Sequence, residues 1–127
     1  CHPKFSNAIK TIYETLKKGG CILTCGNGGS FSDAQHFTAE LVVKYKRERA
    51  PLSSITLGSN FSNLSACAND YSFDEIFKRD ILEFLRQDDI LGQDPDIVYD
   101  DRNKVVDMWK ANGINCIQVV SRQEGNF

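Results

Sequence analysis

The stretch CILTCGNGGSFSDAQHFTAE, from Cys21 to Glu40, decides how this sequence is expected to fold. It begins with a short apolar run, which is typical of a buried parallel strand. Gly26, Gly28 and Gly29 follow, and they allow the backbone to turn sharply and a ligand to approach it closely. The stretch therefore predicts a buried strand, a glycine turn and the start of a helix.

The glycine turn is a candidate anion site. Ser30 or Ser32 can cap the helix, whose first amides lack partners within the helix and lie at the positive end of its dipole. Such an N-terminus can bind a phosphate. The dinucleotide fingerprint is excluded because Phe31 stands at its third glycine position, and a P-loop is excluded because no Gly-Lys-Ser/Thr follows. A tight turn without a ligand is the alternative interpretation.

The helix after the turn carries a histidine and a carboxylate on one face. His36 and Glu40 are four residues apart, and this spacing can supply two metal ligands, or a ligand and a base. Lys44 lies one turn further on, so a solvated stripe with a Glu40–Lys44 ion pair is the alternative. The position behind a glycine turn favours the functional interpretation, because open α/β sheets bind ligands at the carboxyl ends of their strands.

These residues carry a resemblance to a known family. GNGGSFSDAQHFTAEL, from Gly26 to Leu41, resembles the signature of the sugar isomerase (SIS) family and, within it, of the phosphoheptose isomerases. PLSSITLGSNFSNLSACANDYSFDEIFKRDI, from Pro51 to Ile81, continues the similarity, which covers about residues 5–91. The resemblance implies an isomerase that interconverts aldose and ketose forms of a sugar phosphate, here sedoheptulose 7-phosphate and a heptose 7-phosphate.

The resemblance also implies a role for individual residues. His36 and Glu40 would be catalytic and would lie at a zinc ion, with Glu40 as the base that transfers a proton. The residues that would bind the substrate are Asn27, Gly28, Gly29, Ser30, Asn69 and Asp70. The family further implies a homo-oligomer, a tetramer with active sites between its subunits.

The similarity ends near Leu91, and a different resemblance follows. Residues 94–127 resemble the C-terminal end of the phosphatase domain of phage-type polynucleotide kinase/3′-phosphatases, which belong to the haloacid dehalogenase superfamily. In that resemblance Asp100 and Asp101 would help to hold magnesium. The upstream Asp-x-Asp-x-Thr motif of that superfamily is absent from the sequence. Helix capping by Asp101 or Asn103 is the alternative role of this acidic turn.

Two further function hypotheses stand beside the isomerase. The family implies a serine-rich phosphate loop and additional metal ligands, which the residues after Leu91 do not contain. A rearranged or inactive SIS module that binds a sugar phosphate, or only oligomerises, without turnover fits that difference. A magnesium-dependent phosphatase fragment is the third hypothesis, and it depends on Asp100 and Asp101.

The order of elements predicts an α/β fold. We expect a doubly wound, mainly parallel sheet with helices on both faces, in a Rossmann-like three-layer sandwich. Residues 1–92 form the SIS-like portion, and residues 93–127 form a strand–helix–strand segment that is expected to complete the same sheet. In the central helix the residues expected to face the core are Ala34, Phe37, Leu41 and Tyr45.

Capping and turn residues set the other predicted boundaries. Ser6 is expected to start the first helix and Gly19-Gly20 to end it, and Gly113 is expected to end the last helix. Ser72 and Glu75 have capping-box spacing before another helix. The remaining predicted elements are a strand at Leu52–Leu57, a helix from Ser59 or Asn60 to Ala68, a strand at Asp96–Tyr99, a helix at Asn103–Ala111 and a strand at Ile114–Val120.

Charge and composition limit the class of protein. A net charge of −2 gives no reason to expect nucleic acid or an anionic membrane as a partner. No apolar run approaches the roughly 20 residues of a membrane span, and no signal peptide is recognised. Five cysteines without C-x-x-C spacing argue for reduced thiols and a cytoplasmic setting. The cysteines expected in the core are Cys21, Cys25, Cys67 and Cys116.

Overall fold

The computed structural model describes residues 3–87, 97–100, 103–111 and 113–118. The helices are α1 (Pro3–Lys17), α2 (Gly29–Val42), α3 (Phe61–Asp70), α4 (Ile76–Gln87) and α5 (Asn103–Ala111). The strands are β1 (Ile22–Thr24), β2 (Ser54–Thr56), β3 (Val98–Asp100) and β4 (Cys116–Gln118), and a 3₁₀ turn at Phe73–Glu75 precedes α4. Helices alternate with parallel strands, which confirms the predicted α/β fold.

The strands form two parallel pairs. β1 pairs with β2, with Leu23 opposite Ile55, and β3 pairs with β4, with Tyr99 opposite Ile117. Within the described residues no ladder joins one pair to the other, so they are two sheets of two strands there. The division of the chain near residue 92, and completion of one sheet by its last part, stay predictions.

One hydrophobic core nevertheless serves both pairs. Its buried members come from β2, α4, α5 and β4 or lie beside them, and they are Leu57, Ile81, Val106, Trp109 and Cys116. Leu23 of β1 and Val98 of β3 pack against this cluster. A polar contact also joins β3 to α1, because the hydroxyls of Thr11 and Tyr99 are 3.2 Å apart. The C-terminal strand–helix–strand unit therefore packs on the same core as β1 and the end of β2.

Glycines end two helices as predicted. Gly19, with φ of 82°, follows α1, and its amide donates to Leu16 O at 3.1 Å. Gly113, with φ of 77°, follows α5, and the next amide, that of Ile114, donates to Trp109 O at 3.0 Å. A left-handed residue at this place satisfies carbonyls that the helix itself leaves open. These two positions fix where the chain leaves each helix and turns into the following strand.

The predicted helix starts are less accurate. α1 begins at Pro3, so Ser6 lies within it, because proline suits a first turn whose amides have no helical partner. Neither Ser30 nor Ser32 caps α2, whose N-cap is Gly28 without a side-chain hydrogen bond. The left-handed φ of Gly28 brings the helix start into the turn itself, before either serine.

After β2, one predicted helix cap is correct and one is wrong. Asn60 caps α3 as predicted, accepting hydrogen bonds from the amides of Ser62 and Asn63 at 3.1 and 3.2 Å. Ser72 makes no side-chain cap, and Glu75 pairs with Lys78 at 3.1 Å. The helix at Asn103–Ala111 has the predicted bounds. Where they are described, β1, β2 and β4 are shorter than predicted, and β3 ends one residue later than predicted, at Asp100.

The cysteine prediction is confirmed in part. Cys67 and Cys116 are buried, whereas Cys21 and Cys25 are half-buried. Among the helices of the described residues, none is both long enough and apolar enough to cross a membrane.

Leu57→Ala is expected to lower the free energy of unfolding by about 2–5 kcal/mol. Leu57 is only 4% exposed and belongs to the cluster that joins both strand pairs. Leu82 on α4 is 42% exposed, so Leu82→Ala is a matched control with an expected change within about 0.5 kcal/mol. Urea unfolding followed by the fluorescence of Trp109, the single tryptophan, measures both variants. Equal losses in the two would contradict a core shared by the two pairs.

Candidate functional site

The candidate site begins at the turn between β1 and α2, and two glycines determine its path. Gly28 has φ of 57° and ψ of −123°, a conformation that is unfavourable for residues other than glycine. Gly26 is buried, and a Cβ there would lie 2.4 Å from both the carbonyl carbon and the oxygen of Ser30. The backbone at residue 26 therefore lies close to the backbone of Ser30, and only glycine fits at this position.

The amides of the turn are partly used within the turn. The Ser30 amide donates to Asn27 O and the Phe31 amide donates to Gly28 O, each at 3.1 Å. A free amide cradle of the kind expected at a phosphate-binding helix start is thus partly closed by the chain itself. The side chains of Asn27, half-buried, and Ser30, exposed, remain available at the turn for a polar ligand.

His36 and Glu40 meet on α2 as their spacing predicts. His36 Nε2 and Glu40 Oε1 are 3.1 Å apart, so a proton on Nε2 is donated to the carboxylate. The His36 side chain is 76% exposed and that of Glu40 is 34% exposed. The imidazole therefore faces solvent, while the carboxylate lies in a more enclosed position beside it.

The pair lies in an open cleft with a volume of about 280 Å³. Asp33, Phe37 and Tyr45 line the same cleft. The sequence prediction missed Asp33, although its place three residues before His36 put it on the same helix face. Phe37 and Tyr45 were expected in the core, and this was wrong because both are exposed at the cleft.

The buried side of α2 explains why those aromatic residues face outward. Ala34 is buried and Leu41 is half-buried, as predicted, and Thr38 lies against the strands beside Ala34. The helix is thus packed on the sheet by small and hydroxylated residues. Thr38 accordingly contacts both strands of the first pair, Thr24 at 2.9 Å and Ser54 at 3.1 Å.

Lys44 does not continue the face of His36 and Glu40. α2 ends at Val42, and the Lys44 ammonium pairs with Glu48 rather than with Glu40. The Arg49 guanidinium donates to the main-chain oxygen of Glu40 at 2.6 Å. This hydrogen bond folds the segment from Lys44 to Arg49 back onto the end of α2. The Glu40 side chain contacts His36 instead of Lys44.

Asn69 and Asp70 lie elsewhere on the molecule. They hydrogen-bond to each other at 2.8 Å on the last turn of α3, where both are exposed. The first residue of that helix, Phe61, packs edge-on against Phe31, with ring centroids 6.2 Å apart. At 1.5 Å per residue, the polar pair lies roughly 12–14 Å along the helix from that contact. Within one chain the structure does not bring this pair to the glycine turn, and its role stays a prediction.

The donor atoms of His36 and Glu40 suit a shared metal ion, but they are only two. Structural and catalytic zinc ions take nitrogen, sulfur and oxygen ligands at about 2.0–2.3 Å, usually four in number. A separation of 3.1 Å allows both atoms to bind one such ion. Among the described residues there is no group of three His, Cys, Asp or Glu residues that could hold a metal. Further ligands would have to come from water, substrate or other parts of the protein.

The second predicted metal position is only partly described. Asp100 is the last residue of β3, and Asp101 lies outside the described residues. Magnesium binding at this acidic turn therefore stays a prediction.

Comparison with known proteins gives one consistent result for the front of the chain. The family model described as SIS domain matches residues 2–92. A phosphoheptose isomerase from Rhodospirillum rubrum is 45% identical over 91 residues, which are 72% of this chain and 48% of that protein. One from Helicobacter pylori (strain P12) is 49% identical over 84 residues, 66% of this chain and 44% of that protein. The chain spans about half the length of the curated relatives it matches.

Solved structures extend the likeness further along the chain. A phosphoheptose isomerase from Francisella tularensis superposes with a TM-score of 0.68 and 30% identity, covering 91% of this chain and 60% of that one. One from Neisseria gonorrhoeae gives a TM-score of 0.54 and 31% identity, covering 83% of this chain and 55% of that one. The superposition with the Francisella tularensis structure covers 91% of this chain, which is more than the family model matches with residues 2–92. The structural likeness therefore reaches past residue 92. The resemblance of residues 94–127 to polynucleotide kinase phosphatases receives no support from these comparisons.

Proposed function

Because the chain belongs to the SIS domain family, we propose that it interconverts the aldose and ketose forms of a sugar phosphate, with sedoheptulose 7-phosphate as the ketose. Relatives that are 42–49% identical are named phosphoheptose isomerases. The observation that carries the proposal is the 3.1 Å contact between His36 and Glu40, in an open cleft on the helix that follows the glycine turn.

The chemistry of such an isomerisation needs one well-placed base. A proton moves between adjacent carbons of the sugar through an enediol, and the Glu40 carboxylate would take it from one carbon and return it to the other. Before a metal ion binds, the contact with His36 would hold the orientation of that carboxylate. A zinc ion bound by His36 and Glu40 would supply polarisation of the sugar oxygens. The side chains of Asn27 and Ser30 at the turn would position the substrate.

The proposal is tested by incubating the folded chain with sedoheptulose 7-phosphate and following the sugar by NMR, with added zinc or with EDTA. An aldose product that needs zinc would support isomerase activity. Thermal stabilisation by the sugar phosphate without any product would support the second candidate, a SIS module that binds without turnover. That candidate is favoured by one observation: in the part of the chain that the structure describes, no three His, Cys, Asp or Glu residues are grouped so that they could hold a metal, whereas zinc usually takes four ligands.

Homo-oligomerisation is part of the same proposal, and α1 supports it. Phe5, Ile9 and Tyr13 are spaced four residues apart, so they form one stripe along the helix. Each of them is more than half exposed. A continuous apolar stripe of this kind is typical of a helix that packs against another protein surface. A second copy of the chain as that partner could also bring additional ligands and substrate contacts to the cleft of the first.

Ile9→Glu is expected to shift the chain from an oligomer to a monomer, because a carboxylate at the centre of the stripe would be buried without a partner. Light scattering coupled to size-exclusion chromatography measures the mass. Lys10→Glu is the control, since Lys10 is an exposed neighbour off the stripe and the mass should not change. An unchanged oligomer in Ile9→Glu would show that this stripe is not the contact between copies.

A further inference from the structure

The face of α2 that lies against the strands carries a cluster of hydroxyl groups. The members come from β1, α2 and β2 and are Thr24, Thr38, Ser54 and Thr56. Thr38 Oγ1 is 2.9 Å from Thr24 Oγ1 and 3.1 Å from Ser54 Oγ, so it bridges the two paired strands. Ser54 and Thr56 are buried. Thr38 thus links α2 to both strands of the first pair through directional contacts.

The direction of these hydrogen bonds follows from their last acceptor. The Ser54 hydroxyl donates to Ile22 O at 3.0 Å, and a carbonyl oxygen can only accept. The Ser54 proton is then used, so the Thr38 hydroxyl must donate to Ser54. Thr24 Oγ1 lies 2.9 Å from Thr38 Oγ1 and 3.1 Å from both Ala34 O and Thr56 Oγ1, so its one proton has several acceptors within reach. The result is a relay in which the Thr38 and Ser54 protons have defined acceptors, and it ends on the backbone of β1.

The relay lies opposite the candidate site on the same helix. Thr38 is two residues from His36 and two from Glu40, about 160° around the helix axis from each. A rotation of α2 about its axis would move the His36 and Glu40 side chains along an arc across the cleft. Apolar packing resists such a rotation weakly because it is non-directional, whereas hydrogen bonds depend on both distance and angle.

We propose that Thr38 is a positioning residue that fixes the rotation of α2 through the hydroxyls of Thr24 and Ser54, and so sets the place of Glu40 in the cleft. This inference rests on the proposed function for its effect on catalysis. Its structural part concerns the contact between His36 and Glu40 and can be measured whether or not the chain is an isomerase.

The test compares Thr38→Val with Thr38→Ser. Valine has nearly the shape of threonine but no hydroxyl, so kcat is expected to fall about tenfold with KM changed less than twofold, since a misplacement of 1 Å can cost about 100-fold. Serine keeps the hydroxyl and should restore most of kcat. Ser65→Ala, which removes an exposed hydroxyl bonded within α3, is the control and should keep parental values.

A second measurement separates this inference from the proposed function. The chain has two histidines, His2 and His36, so a His2→Gln background leaves only the His36 imidazole signals in an NMR spectrum. In EDTA, both Thr38→Val and Ser54→Ala are expected to shift those signals, while Thr38→Ser and Ser65→Ala leave them in place. Shifted signals in a chain without turnover would support the relay and refute only the isomerase.

The inference is overturned if Thr38→Val leaves the His36 signals at their parental positions. It is also overturned if an active Thr38→Val enzyme keeps the parental kcat, or if Thr38→Ser is as impaired as Thr38→Val. Ser54→Ala breaks the relay from the strand side, so the NMR comparison stands even if Thr38→Val fails to fold.

Discussion

Glu40→Gln is expected to lower kcat for sugar phosphate isomerisation by about 100-fold or more while the chain stays folded. General base catalysis by a placed side chain contributes roughly 10²–10⁴-fold, and a neutral amide cannot accept the proton. The glutamine keeps the size of the side chain and can still contact His36 Nε2, 3.1 Å away in the parent. The loss should therefore appear in kcat, measured by NMR with sedoheptulose 7-phosphate, with a parental melting temperature.

Glu75→Gln is the matched control for this variant. Glu75 is 38% exposed, close to the 34% of Glu40, and it too contacts a basic side chain on a neighbouring turn, that of Lys78. It lies before α4, away from the glycine turn, so its kcat should equal that of the parent. Turnover retained in Glu40→Gln would rule out this residue as the base.

Gly26→Ala is expected to disrupt both the glycine turn and substrate binding. The added Cβ would lie 2.4 Å from the backbone of Ser30, and neither chain segment can yield as a flexible side chain would. We expect a loss of about 1–3 kcal/mol in the free energy of unfolding, the usual range for overpacking. We also expect KM for the sugar phosphate to rise at least about tenfold, because the displaced turn carries Asn27 and Ser30.

Gly29→Ala provides a stability control within the same turn. A Cβ at Gly29 meets no atom within 4 Å, and the backbone there has no left-handed φ. Gly29 is the first residue of α2, so alanine should leave the free energy of unfolding unchanged or raise it by up to about 1 kcal/mol. Thermal and urea unfolding measure both variants. Equal destabilisation by the two alanines would contradict the close approach of Gly26 to the backbone of Ser30.

Local chemistry is what made parts of the fold predictable from sequence. Gly19 and Gly113 end helices because only a left-handed residue closes them well, and Asn60 caps α3 because its side chain accepts from two amides. The pairing of His36 with Glu40 follows from helix periodicity alone. Each of these depends on residues within four positions of one another, so the sequence contains the necessary information.

The failures involve contacts between distant parts of the chain. Phe37 was expected in the core because its spacing from Ala34 and Leu41 put it on one face of the helix, but it is 44% exposed. Hydroxyl contacts between Thr38 and the two strands hold α2 on the sheet instead. A pattern of apolar residues does not predict a polar contact between a helix and a sheet. The prediction that Lys44 continues the face of Glu40 was wrong for a similar reason. Arg49, nine residues after Glu40, turns the chain back at the end of α2.

The candidate site was predictable in its centre and not at its edges. The glycine turn and the His36–Glu40 pair were identified from spacing and resemblance, whereas Asp33 and Tyr45 were not assigned to the cleft. Asn69 was placed near the substrate by resemblance, yet within one chain it lies at the far end of α3. A residue that serves a neighbouring subunit would show this pattern, which links the oligomer prediction for α1 to the completeness of the site.

Turnover in deuterium oxide tests the central proposal most directly. Sedoheptulose 7-phosphate is incubated with the zinc-loaded parent chain and with Glu40→Gln, and the products are followed by ¹H and ¹³C NMR. The proposal predicts an aldose heptose 7-phosphate from the parent, with deuterium at C2 because the base exchanges its proton with solvent, and no aldose above background from Glu40→Gln. No aldose from the folded parent, or equal aldose from both proteins, would contradict it.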